Sequence, residues 1–194
     1  MTIEVLNLIK RYEGCKLKAY KCSAGVWTIG YGNTKYQDGT SVKEGDVITQ
    51  QQADELFKVI VDNFEYQVKM IIGDRLKTIL PETSISALVS LAYNIGVGAF
   101  AKSTLLKVIK ENKNDLKGII NQWVRWNRAN GVVLKGLTNR RYDEVVLYIE
   151  GILSQYSIDE KLKKFPYLYV PNDKEKKNES LMKVIKMLKN KGVI

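Results

Sequence analysis

Residues 13–34 read EGCKLKAYKCSAGVWTIGYGNT, and this stretch decides the fold because the period of the chain changes inside it. Just before it, TIEVLNLIKRYEG at 2–14 puts Ile3, Val5, Leu6, Leu8 and Ile9 at near-helical spacing. Gly14 suits the left-handed position just past a helix end. Within the stretch, WTIGYGNT at 27–34 alternates and carries two glycines, the pattern of a strand with a close backbone approach. A helix that ends at Glu13 and runs into such a hairpin sets Cys22 and Thr28 opposite its last residue. The expectation is a cleft holding one carboxyl, one thiol and one hydroxyl.

Composition narrows the chemistry further. The chain has 194 residues, a formal net charge of +10, two cysteines and no histidine. Without histidine there is no Ser-His-Asp or Cys-His nucleophile, no His-ligated metal and no imidazole acid–base step. Acid–base catalysis near neutral pH then falls to a carboxyl with a raised pKa, or to Cys, Lys or Tyr. Two cysteines, Cys15 and Cys22, are too few for a disulfide framework or a zinc site. The basic balance favours polyanions, whether nucleic acid or an anionic bacterial wall. No signal-peptide core and no apolar run of ~20 residues is present, so the chain is expected to be made in the cytoplasm without stable membrane insertion.

The remaining elements follow from periodicity and punctuation. Asp38–Gly39 marks a turn before a short extended piece at Thr40–Val42. Thr49 and Gln52 have capping-box spacing, and Leu56, Val59, Ile60, Phe64, Val68 and Ile71 share a stripe, predicting a long helix to about Ile72. Pro81 breaks the chain, with Thr83 or Ser84 able to cap a buried helix through Ile95. Helices are expected near 101–111, 114–126 and 137–153. Residues 165–173, FPYLYVPND, read as an extended connector. Lys174–Lys191 reads as an amphipathic helix, packed on the body or carrying basic charge outward, with Leu181, Val184, Ile185 and Leu188 on its apolar face.

In that frame the chain resembles the phage-type lysozymes, or endolysins, of the T-even and lambdoid type. Their catalytic pattern is Glu, eight residues, Asp or Cys, five residues, Thr, and Glu13, Cys22 and Thr28 match it in order. LAYNIGVGAF at 91–100, WVRWN at 123–127 and GLTNRRYDEVVLY at 136–148 carry the likeness on, over roughly residues 1–150. The resemblance implies an α+β, mostly helical two-lobe fold: a small N-terminal hairpin lobe, a long connecting helix and a larger helical C-terminal lobe. It implies a catalytic domain at 1–153, while 154–194 is a basic extension on which the likeness is silent. It also implies a muramidase that cleaves the β-1,4 bond between N-acetylmuramic acid and N-acetylglucosamine in peptidoglycan and lyses bacteria, without cofactor or metal. The expected partner is the glycan strand, not nucleic acid, bound by a monomer that a separate factor releases to the wall.

Each site residue has a plain alternative. Glu13 is the general acid on this reading, though a Glu at a helix end is more often a solvated surface group. Its carboxyl must be neutral near pH 7, above the usual ~4.3, and desolvation has to supply most of that rise. Cys22, where relatives carry Asp or Cys, holds or activates water or attacks as thiolate, with Lys18 or Lys21 as candidates to lower its pKa. Otherwise it is a small apolar filler, and inversion or retention stays open. Thr28 orients the attacking water, or is a β-branched strand residue chosen for packing. Arg140, with Arg141 as rival, pairs with Glu13 across the cleft. Tyr20, Trp27, Gly30 and Asn94 support or line the substrate site, and Cys15 is core. A catalytically dead wall-binding module on the same fold is the alternative function; a DNA-binding protein leaves the hairpin unexplained.

Overall fold

The computed structural model describes residues 1–22 and 24–194. Helix α1 (Ile3–Glu13) buries Val5, Leu8 and Ile9 and stops at Gly14. There φ is 68° and ψ 168°, a region essentially only glycine occupies, rather than the left-handed helical one expected. The difference matters for direction: the extended ψ sends the chain straight into a hairpin. Strand β1 (Lys16–Lys21) pairs antiparallel with β2 (Trp27–Gly30), Tyr20 opposite Thr28. The piece expected at Thr40–Val42 contributes only an isolated bridge between Lys35 and Ser41 around the Asp38–Gly39 turn.

Helix α2 (Gln50–Ile72) opens with the full capping box, Thr49 accepting from the Gln52 N–H and the Gln52 side chain accepting from the Thr49 N–H. After a short α3 (Asp74–Ile79) comes α4 (Glu82–Ile95), which is buried from Ser84 to Ala92 and forms the axis of the larger lobe. It starts at Glu82 with Pro81 as N-cap, two or three residues earlier than a Thr83 or Ser84 cap would place it. Ser84 is instead committed to tertiary structure: its hydroxyl donates to the Tyr148 carbonyl at 2.8 Å. After α4 come α5 (Val97–Ala101), α6 (Thr104–Glu111), α7 (Leu116–Trp123), a two-residue ribbon of β3 (Arg128–Ala129) and β4 (Val132–Val133), and α8 (Lys135–Leu153). The α4–α8 approach is very close. A Cβ on Gly151 would meet Ser84 Oγ at 2.4 Å and Ser84 N at 3.0 Å, so only glycine fits.

The C-terminal segment is more helical than its two prolines imply. It forms α9 (Ile158–Lys164), α10 (Pro166–Tyr169), α11 (Asp173–Lys176) and α12 (Glu179–Asn190). The extended connector expected at 165–173 therefore contains a helical turn, because Pro166 sits at the first helical position, where its missing N–H costs nothing. Phe165 and Leu168 are buried, and the expected face of α12, Leu181, Val184, Ile185 and Leu188, joins the same apolar core as α7 and α8. Polar ties reinforce this: Lys117 pairs with Glu175, Lys191 with Glu150, and Tyr142 Oη donates to Ser180 Oγ at 3.2 Å.

Because Leu188 is fully buried, Leu188→Ala is expected to lower global stability by about 2–5 kcal/mol, as for other buried leucines. A single cooperative urea transition moved to lower urea checks this. An unchanged midpoint would mean that α12 unfolds independently of the body.

Candidate active site

The site is assembled from four elements. Glu13 is the final residue of α1, with Lys10 and Arg11 in the same turn. Its side chain is 25% exposed, and Arg140 Nη1 donates to its Oε1 at 2.7 Å. Arg140 itself is almost wholly buried and comes from the second turn of α8. Its Nε donates to Glu144 Oε1 at 3.1 Å and its Nη2 to the Ser90 carbonyl at 3.4 Å. Arg141, fully buried, turns the other way, to Glu144 and, at 3.2 Å, to the Trp126 carbonyl. Arg140, not Arg141, is thus the arginine on Glu13. A second anchor flanks it: Tyr12 Oη and Arg11 Nη2 donate to Asp143 Oδ2 at 2.5 and 2.6 Å.

Cys22 follows β1 and Thr28 lies in β2. The backbone N–H groups of Ala24 and Val26, with the Thr28 hydroxyl, hold the Cys22 thiol below the ordinary thiol range, Ala24 contributing most. These donors replace Lys18 and Lys21, the sequence-based expectation; Lys21 Nζ instead lies 5.2 Å from the Trp27 ring centroid. Thr28 is buried at 4% exposure and its hydroxyl sits 3.0 Å from the Val26 carbonyl. A hydroxyl has one proton, so donation to that carbonyl and donation to the sulfur compete. When the carbonyl takes it, the Thr28 oxygen is left as an acceptor for water.

The other expected substrate contacts are distributed unevenly. Tyr20 and Trp27 are half-buried on the hairpin, with Lys16 Nζ 4.0 Å from the Tyr20 ring centroid. Asn94 is exposed near the C-terminus of α4. Gly30 is buried with φ 61°, and a Cβ there would meet Asn33 Oδ1 at 3.3 Å and Ala53 Cβ at 3.7 Å, so this glycine serves the packing of the hairpin against α2. Two groups escaped the sequence reading. Tyr93, beside Asn94, donates to the Tyr31 carbonyl at 3.0 Å and ties α4 to the hairpin lobe; burial, and then the neighbouring Glu13 charge, push its hydroxyl pKa up. Glu144, completely buried, anchors both arginines. Its place four residues after Arg140 was the available signal.

With this geometry in place, comparison with known proteins becomes decisive. The profile of the family described as "Phage lysozyme" matches residues 10–144, which include Glu13, Cys22, Thr28 and Arg140. The chain belongs to the phage lysozyme family. It is 42% identical over 147 residues to the endolysin of Acyrthosiphon pisum secondary endosymbiont phage 1, covering 74% of this chain and 93% of that one. The endolysin of Bacillus phage PZA is 36% identical over 183 residues, 93% of this chain. That match takes in most of the helices after α8, while the chain spans 66% of the Bacillus relative's length. Among solved structures, the endolysin from Escherichia coli O157:H7 phage FAHEc1 superposes with a TM-score of 0.66 at 36% identity, covering 76% of this chain and 92% of that one.

This phage lysozyme is therefore a glycoside hydrolase that acts on peptidoglycan. Among its described residues no helix is long and apolar enough to cross a membrane. The lowered Cys22 thiol has a direct consequence. A thiol whose pKa falls becomes thiolate at lower pH, so the pH at which Cys22 alkylation by iodoacetamide is half-maximal is expected below the ~8.5 of a free cysteine. A Cys15→Ser background isolates the signal. A midpoint at or above the free-thiol value would mean that the turn amides do not reach the sulfur.

Proposed function

We propose that this lysozyme is a muramidase that hydrolyses the β-1,4 bond between N-acetylmuramic acid and N-acetylglucosamine, with Glu13 as general acid and Cys22 and Thr28 as the water-holding pair. The observation that carries the reading is the placement of the Glu13 carboxyl. It stands at the end of α1, one oxygen held by Arg140. Among the described residues no protein group hydrogen-bonds Oε2, which leaves that oxygen to carry a proton to the glycosidic oxygen. Proton donation of this kind contributes about 10²–10⁴-fold.

Water attack on the opposite face needs acceptors. The Thr28 oxygen is one when its proton goes to the Val26 carbonyl, and the Cys22 sulfur, bearing extra negative character, is the other. Burial of Thr28 suits one ordered water better than bulk solvent.

Glu13→Gln keeps the shape and removes the transferable proton, and activity on soluble glycan fragments is expected to fall by about 10²–10⁴-fold. The new reducing ends made by the unsubstituted enzyme should be N-acetylmuramic acid. N-acetylglucosamine ends, or an active Glu13→Gln enzyme, would overturn the proposal. Cys22→Asp places a carboxylate where relatives of this type carry one and is expected to retain substantial lysis of permeabilised cells. A loss as deep as that of Glu13→Gln would remove Cys22 from its assigned part.

A further inference from the structure

We infer that Glu144 is a positioning residue for catalysis: it fixes the Arg140 guanidinium against Glu13 and shares its charge, so that Glu13 meets a partly neutralised cation. The inference rests on the reading of Glu13 as proton donor and extends it to a carboxylate that never touches substrate.

The geometry around Glu144 is unusually complete. The residue has no solvent exposure. Its Oε1 accepts from Ser90 Oγ of α4 at 2.8 Å, from Arg140 Nε at 3.1 Å and from Arg141 Nη2 at 3.0 Å. Its Oε2 accepts from Trp123 Nε1 of α7 at 3.1 Å. Arg141 Nε lies 2.9 Å from the same Oε2 as an ion pair, though outside hydrogen-bonding angles, which leaves that N–H unpartnered. Three helices thus converge on one buried carboxylate. Burying such charges is not an efficient way to gain stability, since apolar replacements of buried ion pairs are often neutral or better. The arrangement does, however, leave Arg140 a single orientation. With Nε on Glu144 and Nη2 on the Ser90 carbonyl, only the Nη1 edge faces outward, and that edge is the one on Glu13.

Charge counting gives the second role. Two arginines and two carboxylates sum to zero when Glu13 is ionised and to +1 when it is protonated. Take Glu144 away and the same states carry +1 and +2. Protonating Glu13 then works against a larger positive field, so Glu144 favours the protonated acid that catalysis needs. The other groups around Glu13 are Tyr93 from α4 and, on α1 itself, Arg11 and Tyr12, which are engaged with Asp143 on α8. The groups facing Glu144 are Arg140, Arg141, Ser90 and Trp123.

The test is the pH profile of kcat on soluble peptidoglycan fragments for Glu144→Gln. Its alkaline limb, where the acid loses its proton, is expected to move by about one pH unit toward acid, with KM changed less than about twofold. The same shift in a Cys22→Asp background assigns the limb to Glu13 rather than to the thiol. If the single variant does not fold, Arg141→Gln lowers the same charge count to −1 and 0 and is expected to move the limb toward alkaline instead, an unmoved limb overturning the inference. A purely structural part for Glu144 would lower the active fraction equally at every pH and leave the limb in place, overturning the inference. An inactive Glu13→Gln enzyme beside an unshifted Glu144→Gln limb overturns only this inference. An active Glu13→Gln enzyme removes the general acid, and the inference with it.

Discussion

The structure hangs on a chain of alternating charge that runs from the cleft into the centre of the larger lobe: Glu13, Arg140, Glu144, Arg141. Each inner member is nearly or wholly out of solvent, where an unpaired charge would cost several kcal/mol. The four groups are therefore tolerable only together. That mutual need brings α1, α4, α7 and α8 to one point, since Ser90, Trp123 and Glu13 contribute from the first three and both arginines from the last. The arrangement also explains why α8 is buried over so much of its length despite its polar sequence, and why Gly151 must allow α4 to approach.

The smaller lobe is held by different means. Gly14 sends the chain from α1 directly into β1, so the distance along the chain between Glu13 and the hairpin is as short as it can be. Lys10, in the last turn of α1, pairs with Asp54 of α2 at 2.5 Å, and Asp54 also accepts from the Tyr31 hydroxyl at 3.1 Å. Tyr93 reaches the Tyr31 carbonyl from α4. The hairpin is thereby tied both to the connecting helix and to the axis of the larger lobe. On it, the Cys22 sulfur draws on backbone amides rather than on neighbouring lysines, a source of positive charge insensitive to salt-dependent side-chain motion. The apolar face of α12 extends the same core beyond the part matched by the family profile, leaving Lys183, Lys186 and Lys189 outward.

Much of this was legible before any coordinates. The period of residues 50–72 with Thr49 and Gln52 specified α2 and its cap, and the apolar face of α12 was readable as Leu181, Val184, Ile185 and Leu188. Spacing nominated Glu13, Cys22 and Thr28 and specified the helix, glycine and hairpin that carry them, because these are local events set by neighbouring residues. Local rules misled where tertiary contacts competed. Ser84 has the chemistry of a cap but spends its hydroxyl on Tyr148, 64 positions away, and a proline-rich connector became helical once Phe165 and Leu168 found a core to enter.

By itself, then, the sequence determined most of the elements and their buried faces, since both depend on interactions within a few residues, and it nominated Glu13, Cys22 and Thr28 as candidate reacting groups. It also excluded imidazole chemistry outright through the absence of histidine. Only the tertiary structure decided which of two adjacent arginines reaches Glu13 across 127 positions, and that Glu144 steers it. The physical reason is desolvation. The direction a charged side chain takes from a helix is set by which partners can compensate it in the interior, and those partners come from helices that no local pattern connects.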